Sequence, residues 1–304
     1  MNFDGVFSVL PTPFAQDGSL DLESLRRVVD LVIAAGVDGV TALGVTGEVD
    51  RLNERERHQV LETVLAHANG RVPVVAGATA QGLQTCIELS RAARDAGASA
   101  VMVSPPRLVK LNSDAVFAHF ARLAEAVDIP IVVQDYPPVS GYTMEPWLLA
   151  RIAREIPRAR TIKLEDPPTP FKTSRILEQA GATPVKILGG LGGVYLIEEL
   201  LAGASGAMTG FAYPEMLVEV VRLFRSGHHA QAANAFYRYV PLMRFEFQQV
   251  IGMAIRKEIL RRRGALAEAA VRAPAARLDA ATTTALDGLL AWMRDQQGVK
   301  WISV

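Results

Sequence analysis

The chain has 304 residues, half of them hydrophobic and 21% charged, and its 32 lysines and arginines balance 32 aspartates and glutamates. That balance leaves no global field to attract nucleic acid or an anionic membrane, which points to a small-molecule role. One cysteine excludes an intramolecular disulfide framework, no run of eighteen apolar residues offers a membrane span, and the N-terminal MNFDGVFSVLPTPF lacks the basic-then-apolar order of a signal peptide, so a cytoplasmic protein is expected.

Eight short β-rich runs follow one another: FSVL at 7–10, GVTAL at 39–43, VPVVAG at 72–77, AVMVS at 100–104, IPIVVQD at 129–135, TIKLE at 161–165, VKIL at 185–188 and GAMTG at 206–210. Most are apolar on both faces, as parallel strands covered on each side must be. Between them lie DLESLRRVVDLVIAAG, NERERHQVLETVLAHANG and SDAVFAHFARLAEAV, whose apolar residues recur at three- and four-residue spacing and so predict amphipathic helices. Asn53 and Glu56 have the spacing of a capping box, and Gly36, Gly70 and Gly97 stand where helices should end. Cys86 lies in another helical run, QTCIELSRAARDAG, and reads as an inert core thiol.

Eight strand-helix units in about 225 residues predict a (β/α)8 barrel over residues 1–226, with a doubly wound sheet as the competing architecture. From 227 to 304 the pattern is helical: one run from His228 to Gly264, an alanine-rich connector near 264–280, and a last helix ending ALDGLLAWMRDQQ. These helices are expected to pack on the barrel. Arg261, Arg262 and Arg263 read as a solvated helix end.

Metal chemistry has little support, because His58, His67, His119, His228 and His229 all fall on predicted helices and form no HExxH or close ligand set. No GxxxxGK[ST] loop or GxSxG elbow occurs, and GxGxxG does not follow the first strand. Neither a metal nor another cofactor is expected.

The sixth strand is the informative one. If Ile162 and Leu164 face the helices, Thr161, Lys163 and Glu165 face the barrel interior, with Glu165 about 7 Å beyond Thr161's next neighbour on that side, Lys163, and near the mouth. An enclosed amine is placed for nucleophilic attack on a ketone, giving a Schiff base. Glu165 serves there as an ion-pair partner or as an acid-base group. A second element, ALGVTGEVDRLNERER at 42–57, ends a strand in Gly44-Val45-Thr46-Gly47-Glu48 and offers backbone N–H groups and a hydroxyl to a carboxylate. A tight structural loop would have the same composition.

Taken together, LPTPF at 10–14, GVTGE at 44–48, QDYPPVSG at 134–141 and IKLE at 162–165 resemble the dihydrodipicolinate synthase and N-acetylneuraminate lyase family, from about residue 5 to at least 226. The resemblance implies a (β/α)8 barrel assembled as a homotetramer and a sixth-strand lysine, here Lys163, that forms an imine with pyruvate or another 2-oxo acid. It also implies a carboxylate site at Thr46 with the backbone of Val45 and Gly47. Gly190 to Gly193 and the strand of Met208 match the segments that close the far side of that pocket.

Four departures qualify it. Gln134 stands where the synthase and the sialic acid lyase carry a proton-shuttling tyrosine, and a carboxamide cannot take up and return a proton as a phenol does. Val45 replaces the threonine linked to that tyrosine, SPPRL with Pro106 and Arg107 replaces a tyrosine pair, and Val139 replaces the arginine that meets the aldehyde substrate's carboxylate. Members that dehydrate 2-oxo-3-deoxy sugar acids are similar at Gln134-Asp135 and at Lys163 with Glu165, though they differ at the carboxylate turn. The expected activity is therefore a Schiff-base lyase, aldolase or dehydratase, on a 2-oxo acid. Dihydrodipicolinate synthase and a non-catalytic oxo-acid-binding barrel are the alternatives. With the phenol absent, Glu165, or a water held by Gln134 or Tyr136, is the candidate proton carrier. Arg107 is either a second recognition group or a solvent-facing loop residue, and Asp135 and Asp166 are expected to fix loops.

Overall fold

The structure is a computed structural model that describes residues 2–297, 299 and 301–302. Eight parallel strands close into a barrel in sequence order: β1 (Gly5–Val9), β2 (Gly39–Ala42), β3 (Val74–Gly77), β4 (Ala100–Val103), β5 (Ile131–Asp135), β6 (Thr161–Leu164), β7 (Lys186–Gly189) and β8 (Gly206–Thr209), with β8 returning to β1. The eight predicted strands are all present and in place, with ends shifted by two residues or fewer. Closure decides against the doubly wound sheet, because β1 pairs with both β2 and β8 and no sheet edge is left open.

Around the barrel run α1 (Leu22–Ala34), α2 (Glu54–Ala68), α3 (Leu83–Asp95), α4 (Ser113–Ala126), the short α5 (Pro137–Ser140), α6 (Pro146–Glu155), α7 (Thr169–Ala180), α8 (Leu196–Leu201) and α9 (Pro214–Arg225). The capping box at α2 forms: the Glu56 amide donates to Asn53 Oδ1 at 2.9 Å, and the Asn53 amide to Glu56 Oε2 at 3.0 Å. Gly36 and Gly97 follow α1 and α3 with φ of +85° and +100°, whereas α2 closes one residue earlier on a left-handed Asn69.

Strand alternation produces two separate apolar cores. Phe3, Phe7, Val9, Val75, Ala100, Met102, Val132, Leu188 and Met208 fill the barrel lumen. A larger set that includes Val6, Val40, Val101, Val133, Ile162 and Leu164 packs against the helices. Each fully buried aliphatic side chain contributes about 1.5–3 kcal/mol, so the lumen is a packed floor and chemistry is confined to the strands' C-terminal ends.

The C-terminal region departs from its sequence reading in three places. The single run expected from His228 to Gly264 is two helices, α10 (His229–Glu246) and α11 (Gly252–Arg262), separated by a turn in which Val250 has φ of +70°. His228 precedes α10 as its cap residue and is not inside it. The three arginines are ion-paired: Arg261 and Arg262 hold Glu258, and Arg263 pairs with Glu215 at the start of α9 and lies over the Tyr213 ring. Anionic side chains within a turn's reach convert a solvated helix end into a clasp. The connector is likewise pinned, since Arg272 donates to both Glu56 oxygens at 2.8 Å and to the Arg51 carbonyl at 2.8 Å. After it comes α12 (Ala280–Gln297). Among the described residues no helix is long and apolar enough to cross a membrane.

Candidate active site

Register brings the site together. Gln134 of β5 lies beside Lys163 of β6, which lies beside Leu188 of β7. All three point into the lumen, where Leu188 belongs to the apolar floor and Gln134 and Lys163 are the polar groups level with it. Lys163 is 3% exposed, and its Nζ stands 2.9 Å from Glu165 Oε2. The Gln134 amide nitrogen donates to the same carboxylate oxygen at 2.7 Å, and the Ser104 hydroxyl donates to Gln134 Oε1 at 3.0 Å. Thr79 Oγ1 accepts from the Ser104 amide at 2.9 Å. The result is a directed chain, Thr79, Ser104, Gln134, Glu165, Lys163, in which each member fixes the orientation of the next. Buried polar groups so satisfied are rigid.

Glu165 follows the end of β6, and its amide donates to the Asp135 carbonyl at 2.9 Å. Its carboxylate folds back over the amine because Gly190 leaves room: a Cβ at Gly190 would fall 2.2 Å from Glu165 Cγ. Leu191 and Gly193 flank a tight turn after β7 in which Gly192 has φ of +69° and donates its amide to Thr209 Oγ1 at 2.9 Å. Met208 lies in the lumen floor with Leu188.

The turn after β2 is one turn of 3-10 helix, Val45–Gly47, closed by Glu48 in the left-handed region. Thr46 Oγ1 is enclosed and has no hydrogen-bond partner among the described residues. Behind it, Thr12 Oγ1 donates to the Gly47 carbonyl at 2.6 Å. Glu48 is 5% exposed and receives Lys257 of α11, Arg51 at 2.7 Å and the Arg272 amide at 3.0 Å. Lys257 is wholly buried and also donates to the carbonyls of Thr12 and Ala270 at 2.8 Å. Burial lowers its pKa from 10.5 to about 8, against the pull of Glu48. The C-terminal helices thus brace the turn from outside the barrel.

Two lobes open above these groups. One, of about 700 Å³, is lined by Val45, Thr46, Tyr136, Glu165, Leu191 and Tyr195, and roofed by Phe247 to Val250, Gly252 and Arg256. The other, of about 440 Å³, contains Val45, Thr79, Met102, Arg107, Gln134 and Val139. Of the residues singled out from sequence, Lys163, Gln134 and Glu165 form one hydrogen-bonded cluster, while Val45, Thr46, Tyr136 and Arg107 face the lobes above it. Gly47, Gly190 and Met208 shape the surroundings and line neither lobe. Burial, and then the charge of Glu165, holds the Tyr136 phenol above its usual value of 10.

Outside the barrel wall, Lys172 of α7 bridges Asp135 at 2.6 Å and Asp166 at 2.7 Å, which ties the segments after β5 and β6 together as loop-fixing residues. Burial still pushes the Asp135 carboxyl up to about 6, from 3.8. Glu199 of α8 is 1% exposed against Gly189, with Thr169 donating to Oε1 at 2.5 Å and Oε2 unpartnered. Its carboxyl is pushed up to about 7, chiefly by burial. Cys86 is buried in α3 and its thiol is pushed up to about 11, again by burial. Sequence reasoning missed Ser104, Arg256, Glu246 and the 247–250 roof. Only Ser104 had a legible signal, its place directly after β4, whereas the rest are brought over the barrel by the fold of α10 and α11.

With the geometry in hand, the comparisons agree on one family. The model of the dihydrodipicolinate synthetase family matches residues 2–292. The chain is 34% identical over 273 residues to an L-2-keto-3-deoxyarabonate dehydratase of Azospirillum brasilense, covering 89% of this chain and 88% of that one. It is 37% identical over 247 residues to a 4-hydroxy-tetrahydrodipicolinate synthase of Methanothrix thermoacetophila, covering 81% and 82%. Among solved structures, YagE, a prophage protein of the dihydrodipicolinic acid synthase family from E. coli K12 in complex with pyruvate, superposes with a TM-score of 0.90 at 26% identity over 97% of this chain and 99% of that one.

Proposed function

The chain belongs to the dihydrodipicolinate synthetase family and is a lyase of that family, and from this premise we propose that it dehydrates a 2-oxo-3-deoxy sugar acid through a Schiff base on Lys163. The observation that carries the proposal is the buried Ser104–Gln134–Glu165–Lys163 chain, which sets a carboxylate rather than a phenol against the amine.

In this reading Thr46 and the backbone of Val45 and Gly47 hold the substrate carboxylate. Glu165 takes the ammonium proton from Lys163, whose free amine attacks C2; Glu165 returns that proton to the carbinolamine hydroxyl, which leaves as water, so that the iminium stands beside an ionised Glu165. The iminium acidifies C3. A proton passes from C3 to Glu165 as the electron pair moves into the iminium, and Glu165 then protonates the departing C4 hydroxyl. Hydrolysis of the imine restores Lys163 and releases the dehydrated oxo acid. Gln134 orients Glu165 and carries no proton itself. Tyr136 and Arg107 contact the substrate from the two lobes, and Gly190 and Met208 shape its seat. The enzyme works as a cytoplasmic homotetramer without a cofactor, and pyruvate, though not its substrate, forms the same imine.

Aldol cleavage by the same iminium is the second reading, and the one favoured if the C4 hydroxyl loses its proton instead. The synthase reading is disfavoured by Gln134 and Val139, which stand where that enzyme keeps its proton-shuttling tyrosine and its carboxylate-binding arginine. The test is intact mass after incubation with pyruvate and borohydride, followed by peptide mapping and by product analysis on 2-oxo-3-deoxy sugar acids. An adduct on the Lys163 peptide together with a dehydrated product supports the proposal. Pyruvate release makes the enzyme an aldolase, and an unchanged mass with both pyruvate and a sugar acid rejects the imine.

A further inference from the structure

We propose that Arg256 of α11 is a specificity-determining residue whose guanidinium donates hydrogen bonds to hydroxyl oxygens on the tail of the 2-oxo acid, a role that rests on the Schiff-base reading above. Arg256 lines the roof of the 700 Å³ lobe yet is only 6% exposed. Its Nε donates to Glu246, itself 2% exposed, so the side chain is held from behind. Its Nη1 is enclosed beside Gly210 and has no hydrogen-bond partner among the described residues. An unmet guanidinium donor on a residue that borders a cavity is costly unless a ligand draws it out and meets it.

The residue reaches the barrel mouth because Gly210, just past β8, lacks a side chain: a Cβ there would stand 2.5 Å from Nη1. The lobe falls within the size range of sites for drug-sized ligands and leaves space beyond a three-carbon acid.

Charge decides which tail fits. Both cations that line this lobe have a carboxylate partner, Arg51 with Glu48 and Arg256 with Glu246, as does Lys163 beneath it with Glu165; Arg107 lines the other lobe. In this lobe donor N–H groups are spare, but positive charge is not. That environment suits neutral hydroxyls and disfavours a second carboxylate, whose desolvation would go uncompensated. The arginine absent at Val139 is therefore not replaced in kind; a charge-neutralised donor lines the other lobe.

Two variants test the assignment. The double variant Arg256→Gln with Glu246→Gln removes the guanidinium without stranding a buried carboxylate, and Gly210→Ala keeps the ion pair while displacing Nη1. The readout is kcat/KM for a five-carbon 2-oxo-3-deoxy sugar acid relative to the rate of borohydride trapping with pyruvate, which has no tail. The expected result in both variants is a fall in that ratio of about 10- to 100-fold, carried by KM, the range for a hydrogen bond to a charged group. An unchanged ratio overturns the proposal. So does a wild-type preference for an oxo acid with a second, terminal carboxylate that the variants abolish, since Arg256 would then be an anion site. Should the wild-type protein form no adduct, the Schiff-base reading falls, and calorimetric affinity for the sugar acid judges Arg256 separately: a comparable loss in Gly210→Ala upholds the contact, and equal affinity removes it.

Discussion

Glu199 offers a stability measurement whose sign and size follow from one buried carboxyl. It is 1% exposed, its Oε1 accepts only from Thr169, and its Oε2 has no partner, so ionising it places a charge where little compensates it. Its folded value is about 7 against 4.5 for the free group. A carboxyl raised in this way holds its proton more tightly in the folded state than in the unfolded one. Its stabilising contribution is complete below about pH 4.5 and is lost as pH rises through about 7. At about 1.4 kcal/mol per pH unit, that difference is worth about 3 kcal/mol.

The perturbation is Glu199→Gln, with unfolding free energies from denaturant titrations at pH 4.5, 6 and 8. The amide costs stability by leaving its own nitrogen unbonded against Gly189, but that cost does not vary with pH and drops out of the comparison. The variant should therefore lose about 3 kcal/mol less than the parent between pH 4.5 and 8. Parallel curves for the two proteins would refute the reasoning, since they would mean that Glu199 ionises in the folded state as it does in water.

Three further outcomes are expected. Lys257→Met should destabilise the protein by about 3 kcal/mol, the lower end for breaking a buried ion pair because Glu48 keeps Arg51 and the Arg272 amide, and adding Glu48→Gln should recover much of it in the same denaturant assay. Gly190→Ala should drive Glu165 away from Lys163, because the new Cβ would fall 2.2 Å from Glu165 Cγ; kcat should drop by about 100-fold or more with the fold intact by circular dichroism. Gln134→Leu removes the donor to Glu165 and the acceptor of Ser104, and should lower kcat about 10- to 100-fold while borohydride still traps pyruvate on Lys163; loss of trapping itself would show that Gln134 acts on the amine directly.

The barrel was legible because its evidence is local and repeated. Eight apolar runs separated by helical periodicity leave few architectures, and the alternation that puts Ile162 and Leu164 against helices forces Lys163 to the other side. The capping box of Asn53 and Glu56 and the tight turn at 44–48 were likewise written in short segments. The pairing of Lys163 with Gln134 needed only strand order, since the two are register partners.

What the sequence by itself determined was therefore the strands, their covered faces and the residue at the end of each. Tertiary structure alone decided how far Glu165 folds back, because the space it uses is the missing side chain of Gly190, just past the end of a different strand, β7. It alone split the long helical run at 247–251 and swung α11 over the mouth, bringing Arg256 to Gly210 and Lys257 to Glu48 across 46 and 209 residues of chain. Periodicity reports which face of a segment is buried; it carries no information about which distant segment buries it, and the ion pairs that brace this site are contacts of that second kind.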